Sequence, residues 1–367
     1  MPPTSLSFGT ARAKPGTKSW GRLHVREGGL SVSLAVCAVH GARPGEHVVA
    51  LTNQHGTEYN GIESIRRFCE AVDPRKMAGT FCAVISANPR AAMAGAPVWV
   101  EKEADRATPE YGSMYNMNYN WPGAKGGLSV ARAAWEIWNG AIVTPRRRAS
   151  VVLDLHAHQN STAAYASRYE VADLAVAAGI RNIVITHETA AARKERKFNT
   201  LDLLCADHGI LGMTVELGGQ DRFVPESVDD GVRIITNVLK FRGLLPGRLE
   251  LPPKAVFIDP WRDHFGEPSP KGGASFAEAR SECAGLVIPR RNTYDIVHRG
   301  EVVCDVVDPF TGRVAQTVRA PMSGAIYGWR TGGKAVCAGG QTLFIIGAAT
   351  VVAPARYVRG LKRNPVQ

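Results

Sequence analysis

The chain has 367 residues, 45% of them hydrophobic and 21% charged, with a formal net charge of +11 and an isoelectric point near 9.5. That size and mixture exclude a disordered or fibrous chain and suit a globular protein with one large domain or two moderate ones. No stretch approaches the roughly 18 to 20 uninterrupted apolar residues of a membrane-spanning helix, and Met1 to Trp20 lacks the apolar run of a secretory signal, so no membrane partner and a cytoplasmic location are expected.

The seven cysteines, at positions 37, 69, 82, 205, 283, 304 and 337, contain no CxxC pair, which points to reduced, buried thiols and away from a disulfide framework. The basic clusters are short and scattered: Arg146 to Arg148, Arg193 to Lys197, Arg290-Arg291 and Arg359 to Arg363. None is interleaved with aromatics, so a nucleic-acid partner is not expected, and the basic field suits steering of a small anionic molecule.

In chain order, a polar leader over residues 1–20 reads as mobile, and extended runs follow at Arg22 to Arg26 and Leu30 to Val39. The run from His47 to Thr52 has the length and β-branched content of a buried strand and ends at Asn53-Gln54-His55-Gly56. From Asn60, Ile62, Ile65, Cys69 and Val72 recur at helical spacing up to Asp73-Pro74. Further buried strands are predicted at Phe81 to Ser86, Val151 to Leu155, Asn182 to Thr186 and Met213 to Leu217. Helices are predicted through Leu128 to Ile142, Thr162 to Ala178, and Val228 to Arg242 with Ser227 as N-cap. Strands alternating with amphipathic helices give an α/β sheet covered on both faces over residues 21–250, with functional side chains at strand ends. Beyond Leu251, short β-like runs at Gly285 to Pro289, Glu301 to Val307 and Thr342 to Gly347 suggest a smaller β domain over residues 251–367. Its Ala320 to Gly324 and Gly339 to Gln341 turns are hammerhead or barrel-like, without a modifiable lysine at the tip.

The chemistry is concentrated at these strand ends. His55-Gly56-Thr57-Glu58 sets an imidazole and a carboxylate three positions apart across a strand-to-helix turn, close enough to grip one ion. A catalytic zinc wants three protein ligands and an open position, and two histidines with one carboxylate is a ligand set suited to amide hydrolysis. His156, at the end of Asp154-Leu155-His156, supplies the third ligand, with His158 as competitor and Asp154 or a backbone carbonyl to orient the ring. Glu216 closes another apolar strand beside Gly218-Gly219. Singly, each has a plainer reading: a turn histidine, a satisfied core histidine, a strand-end carboxylate. Their joint placement at separate strand termini favours the metal.

The segments Gln54 to Gly61, Ala87-Asn88-Pro89, Asn116 to Gly123, Asp154 to His156 and Thr214 to Gly218, in that order, resemble the succinylglutamate desuccinylase and aspartoacylase family, related in fold to zinc carboxypeptidases. They are closest to the branch containing N-acetyl-diaminobutyrate deacetylases. The resemblance implies a mixed sheet flanked by helices, one zinc per subunit on His55, Glu58 and His156, and Glu216 as general base and acid. Asn118 then contacts substrate, with Tyr119, Asn88 and Trp121 beside it. The family's carboxylate-binding arginine after that asparagine is Tyr119 here, and the arginine expected after Asn88-Pro89 is also missing. A tyrosine offers one neutral donor where a guanidinium offers two charge-assisted ones, so either Arg90 or Arg222 replaces the clamp or the substrate is neutral or aromatic there. Tyr111, Tyr115 and Trp121 would contribute to an aromatic-lined loop. The expected activity is deacylation of a small N-acylated compound. An esterase or a non-catalytic binding protein on the same fold is the alternative, and a homo-oligomer is compatible with either.

Overall fold

The computed structural model describes residues 5–27, 30–98, 114–158, 161–186, 194, 199–259, 276–329 and 335–363. The chain opens with β1 (Leu6–Phe8), β2 (Ala11–Ala13), β3 (Thr17–Glu27), β4 (Leu30–His40) and β5 (Arg43–Thr52). Next come α1 (Asn60–Ala71), β6 (Ala78–Val84), α2 (Pro89–Ala94), α3 (Ser129–Ile137), β7 (Val151–Ala157), β8 (Ala163–Ala166) and α4 (Tyr169–Ala177). They lead to β9 (Asn182–Ile185), α5 (Leu201–Asp207), β10 (Leu211–Leu217), α6 (Pro225–Phe241) and β11 (Ala255–Asp259). The remainder holds β12 (Phe276–Arg280), β13 (Gly285–Pro289), β14 (Ile296–Val297), β15 (Val302–Val307), β16 (Val314–Arg319), β17 (Gly324–Trp329), β18 (Val336–Cys337), β19 (Thr342–Val352) and α7 (Pro354–Arg363).

One large mixed sheet runs β14-β17-β19-β11-β9-β8-β10-β7-β5-β6-β4-β3, with β12 also on β19. At its centre β6, β5, β7 and β10 are parallel. These strands are near-continuous apolar runs because helices cover both faces: all seven residues of β7 and the last six of β5 are buried. One face packs Ile65 and Phe68 of α1, Leu174 of α4, Ile234 and Val238 of α6 and Val358 of α7. The other packs Val130, Ala134 and Ile137 of α3, Leu201 and Leu204 of α5, and Leu6 and Phe8. After β5 the chain crosses by α1 to β6 on one side and returns by α3, on the opposite face, to β7 on the other. Such a reversal opens a crevice at the carboxyl ends of the strands.

A separate antiparallel sheet, β16-β15-β13-β18, faces the β12 and β17 side of β19 over a core of Val287, Val303, Val306, Leu343 and Phe344. The first half of β19 pairs with β12 and β17 while its second half, from Ala348, pairs with β11. Since β11 in turn lies parallel to β9, the large sheet continues past residue 251, and α7 returns to pack on α4 through a 2.7 Å bond from the Tyr357 hydroxyl to Asp173.

Three local expectations are corrected. The described part of the leader is a folded hairpin: Leu6, Phe8, Ala11 and Ala13 alternate with exposed residues and are buried, a period-2 pattern hidden by the polar residues between them. Residues 163–166 form β8 instead of a helical start, because the slot between β10 and β9 overrides the helix preference of alanine. Helix α6 begins at Pro225, whose missing N–H is harmless in a first turn, and Ser227 is buried inside it instead of capping it. All seven cysteines are free and only Cys283 is not buried, as the spacing suggested. Among the described residues no helix is long and apolar enough to cross a membrane.

The helix that follows the His55 turn is fixed at both ends. At its start a Cβ on Gly61 would lie 2.0 Å from Thr52 Oγ1, so only glycine lets α1 press against β5. At its end Lys18 Nζ donates to the carbonyls of Cys69, Glu70 and Val72 at 2.8, 2.6 and 3.0 Å, satisfying acceptors that have no partner within the helix. Lys18→Met, which keeps the aliphatic stem, is expected to lower stability by about 1 to 2 kcal/mol in urea denaturation at unchanged m-value. Gly61→Ala is expected to lower it by about 1 to 3 kcal/mol through overpacking, and unchanged midpoints for the two variants would refute this account of α1.

Candidate active site

The turn after β5 is built around Asn53, which holds a left-handed φ of 63°. Its side-chain nitrogen donates to the carbonyls of His55 and Glu58 at 2.8 and 3.3 Å, and its oxygen accepts from Ser86 Oγ at 2.6 Å. Asparagine tolerates this conformation because its short amide can satisfy the backbone locally. On the outer side, a Cβ on Gly56 would sit 2.2 Å from the Ala91 carbonyl carbon, so α2 rests directly on the turn. His55 and Glu58 are thereby presented at the carboxyl end of β5. His156 is the penultimate residue of β7, and Glu216 is its register partner on β10, so the two side chains stand beside each other on one face.

His55, Glu58 and His156 come together and are all buried, with one ligand atom from each lying within 4.8 Å of the others. The Glu58 carboxylate bridges the rings, Oε1 to His55 Nδ1 at 2.8 Å and Oε2 to His156 Nδ1 at 2.9 Å. Both outer ring nitrogens face oxygen acceptors: His55 Nε2 lies 3.1 Å from Asn116 Oδ1, and His156 Nε2 lies 3.1 Å from Asp154 Oδ2. Those acceptors place the proton of each neutral imidazole on Nε2 and leave a lone pair on each Nδ1. Two lone pairs then face a carboxylate at hydrogen-bond distance. The contact is repulsive unless a positive charge lies between, so the donor set and its outer partners fit a divalent cation such as zinc. Without one the cluster must hold protons. Burial alone would raise the Glu58 carboxyl, but the two imidazoles outweigh it and bring it down to about 2. Burial opposes a charge on His156 as well, and the carboxylates of Asp154 and Glu58 raise it above the usual histidine range.

Glu216 is the counterpart. One of its carboxyl oxygens, Oε2, is buried with no hydrogen-bond partner. Burial, reinforced by the negative charges of Glu58 and Asp154 and opposed by His156, pushes its carboxyl up to about 8. Tyr165 of β8 and Tyr294, which precedes β14, lie within electrostatic reach of it, and Tyr165 packs on Tyr327 with ring centroids 6.4 Å apart. Tyr294 holds a φ of 68°, strained for a bulky residue, so the β domain lends the site a residue fixed by its surroundings.

The other predicted residues divide. Asn118 and Tyr119 lie on the 3-10 turn Met117–Tyr119, directly after Asn116, with Asn118 half-buried and Tyr119 37% exposed. Asn88 and Trp121 spend their polar atoms on bonds within the protein. Asn88, fully buried, caps α2 by accepting from the Ala91 N–H and donates to the Gln54 carbonyl at 3.0 Å. Trp121, 4% exposed, donates its indole N–H to Gln54 Oε1 at 2.8 Å, and Gln54 Nε2 donates to Asp154 Oδ2 at 2.6 Å. Both therefore brace the residue behind His156. His158, exposed just past β7, is outside the cluster, and Tyr111 lies outside the described residues. The sequence assigned no role to Asn53, Gln54 and Asn116, although Gln54 and Asn116 open two of the segments that carry the family resemblance, nor to Tyr165 and Tyr294, which carried no signal.

The catalytic-domain model of the succinylglutamate desuccinylase/aspartoacylase family matches residues 44–242. No curated protein matches the chain. Among solved structures, the product-bound ectoine utilization protein EutE (DoeB) from Ruegeria pomeroyi superposes with a TM-score of 0.69 at 19% identity, covering 91% of this chain and 96% of that one. A succinylglutamate desuccinylase from Silicibacter sp. TM1040 gives 0.68 at 21%, covering 92% and 96%. A succinylglutamate desuccinylase/aspartoacylase from Rhodobacter sphaeroides gives 0.67 at 18%, covering 92% and 97%. At these identities the superpositions speak for the fold, and the matched segment spans the strands and turns that carry His55, Glu58, His156 and Glu216, so the chain belongs to the succinylglutamate desuccinylase/aspartoacylase family.

Proposed function

We propose that this protein is a zinc-dependent amidohydrolase that removes the acyl group from a small N-acylated compound, with one zinc per subunit held by His55, Glu58 and His156. The observation that carries the reading is the pair of 2.8 and 2.9 Å contacts between imidazole Nδ1 atoms and the Glu58 carboxylate, with both Nε2 atoms already committed. Zinc bound there supplies Lewis acidity, lowering the pKa of water from about 15.7 toward about 7 and polarising the scissile carbonyl. Asp154 and Asn116 fix the ring orientations, and Gln54 and Trp121 hold Asp154 in turn.

Glu216 does the proton work in this reading. Burial and the neighbouring carboxylates hold its carboxyl up in the metal-free chain, and a cation on His55, Glu58 and His156 would draw it back down toward neutrality, so its unpartnered Oε2 would take a proton from the attacking water and return it to the leaving amine nitrogen. Asn118 and Tyr119, on the turn that follows Asn116, contact the substrate in this reading. With tyrosine at the family's arginine position, a single phenol cannot replace a bidentate guanidinium, so the substrate group there is neutral unless Arg90 or Arg222 supplies the clamp from another element.

Purified protein is expected to carry one zinc per chain, lost in His55→Ala and in His156→Ala. Glu216→Gln is expected to keep its zinc while hydrolysis of N-acyl amino acids and aryl amides drops by about 100-fold or more. Full activity in Glu216→Gln, or no metal in the wild type, would sink the proposal, and a zinc protein that cleaves neither amides nor esters would be a binding protein.

The same carboxyl sets the acid-base behaviour of the metal-free chain. With a folded value of about 8 against an ordinary 4.5, folded Glu216 holds its proton where the unfolded chain has released it. The folded state therefore binds more protons between those values, and this contribution to stability, full below pH 4.5, is lost as pH rises through about 8. Urea melts of metal-free wild type and Glu216→Gln at pH 5 and pH 8.5 are expected to show the wild type losing more stability than the variant over that interval.

A further inference from the structure

The loop from β10 to α6 carries an exposed aromatic side chain that the fold holds still. Phe223 is 60% exposed, seven residues after Glu216. The loop beneath it is pinned by Asn60, which is fully buried: its Nδ2 donates to the carbonyls of Gly218, Gly219 and Arg222 at 2.7, 2.9 and 3.2 Å, and its Oδ1 accepts from the Val224 N–H at 2.8 Å. A fifth bond runs from the Asp221 N–H to the Thr57 carbonyl at 2.9 Å, with Asp221 in a left-handed φ of 65°. These bonds come from positions 57 and 60, on either side of Glu58 and Tyr59. The Phe223 ring consequently lies on Tyr59, centroids 5.8 Å apart and planes at 33°, next to one predicted zinc ligand and on the loop of the predicted base.

Core packing does not account for this arrangement. A phenylalanine left mostly in water gains little from burial, and the order of the loop comes from the Asn60 amide and not from the ring. What the amide achieves is a flat, pre-oriented apolar pair on the residue that follows Glu58 and on the loop that follows Glu216, which a ligand can cover without first ordering it. Tyr59 in turn reaches toward the end of α2, its hydroxyl 4.0 Å from where a Cβ on Gly95 would lie.

We propose that Tyr59 and Phe223 form an aromatic subsite at the active site that takes a planar apolar group, such as a phenyl or indole ring, next to the scissile amide. The subsite rests on the zinc-hydrolase reading for its location, but binding can be measured without turnover. Calorimetry on full-length zinc-loaded Glu216→Gln would compare N-benzoylglycine with N-acetylglycine, N-acetyl-L-phenylalanine with N-acetyl-L-alanine, and N-acetyl-L-aspartate. In one pair the aromatic compound is expected to bind about tenfold tighter than its methyl counterpart. Adding Phe223→Ala should erase that advantage while the methyl compound changes by less than about twofold, and Phe223→Tyr should restore it. Equal affinities within both pairs, tightest binding by N-acetyl-L-aspartate, or an advantage that survives Phe223→Ala would each overturn the subsite. A failure of hydrolysis in the wild type would instead count against the amidohydrolase reading alone.

Discussion

Two imidazole lone pairs cannot rest against a carboxylate in a dry interior unless positive charge sits among them, and the rest of the molecule is arranged around that requirement. The pair of contacts at Glu58 is buried, so water cannot relieve it, and the outer nitrogens are already spoken for by Asp154 and Asn116. Isolated buried charge is among the least favourable things a fold can hold, whereas a cation surrounded by well-oriented donors is not. The outer layer of amides matters for the same reason: each one fixes the direction of a group that would otherwise turn away from its neighbour.

The sheet supplies the coarse convergence and a few asparagines supply the fine one. Adjacent parallel strands bring His156 and Glu216 side by side at their carboxyl ends without any special residue. Bringing His55 and Glu58 to the same place requires the chain to reverse sharply, and there Asn53 stabilises the left-handed turn while Asn60 ties the start of α1 to the loop after Glu216. Two short side chains thus set the spacing between the cluster and the carboxyl opposite it.

Much of this architecture was legible in the sequence because its signals are local. Unbroken apolar runs marked β5, β7 and β10, the spacing of Ile62, Ile65, Cys69 and Val72 marked α1, and His55, Glu58, His156 and Glu216 stood where those runs ended. What escaped depended on distant partners. Ala163–Ala166 has the composition of a helix and became a strand only because two strands waited on either side, and Leu6 and Phe8 needed the surface of β3 and β4 to reveal their alternation. Trp121 and Asn88 lie in the right segments but point inward to Gln54, a direction that motif resemblance does not encode. Tyr294 approaches Glu216 from a part of the chain with no resemblance to a catalytic motif.

The course of β19 bears on what counts as a unit in this protein. Because that strand hydrogen-bonds first to β12 and β17 and then to β11, and because the final helix closes over α4, the last twenty or so described residues stitch the far edge of the large sheet. The segment that carries the family signature, residues 44–242, stops before either piece and also omits the amino-terminal strands on the opposite edge. A fragment cut to the signature would leave two raw sheet borders with unsatisfied amides, open to intermolecular pairing. Ancestry and autonomy thus have different boundaries here: the family signature is inscribed in the middle of the chain, while the borders of its sheet are covered by both ends.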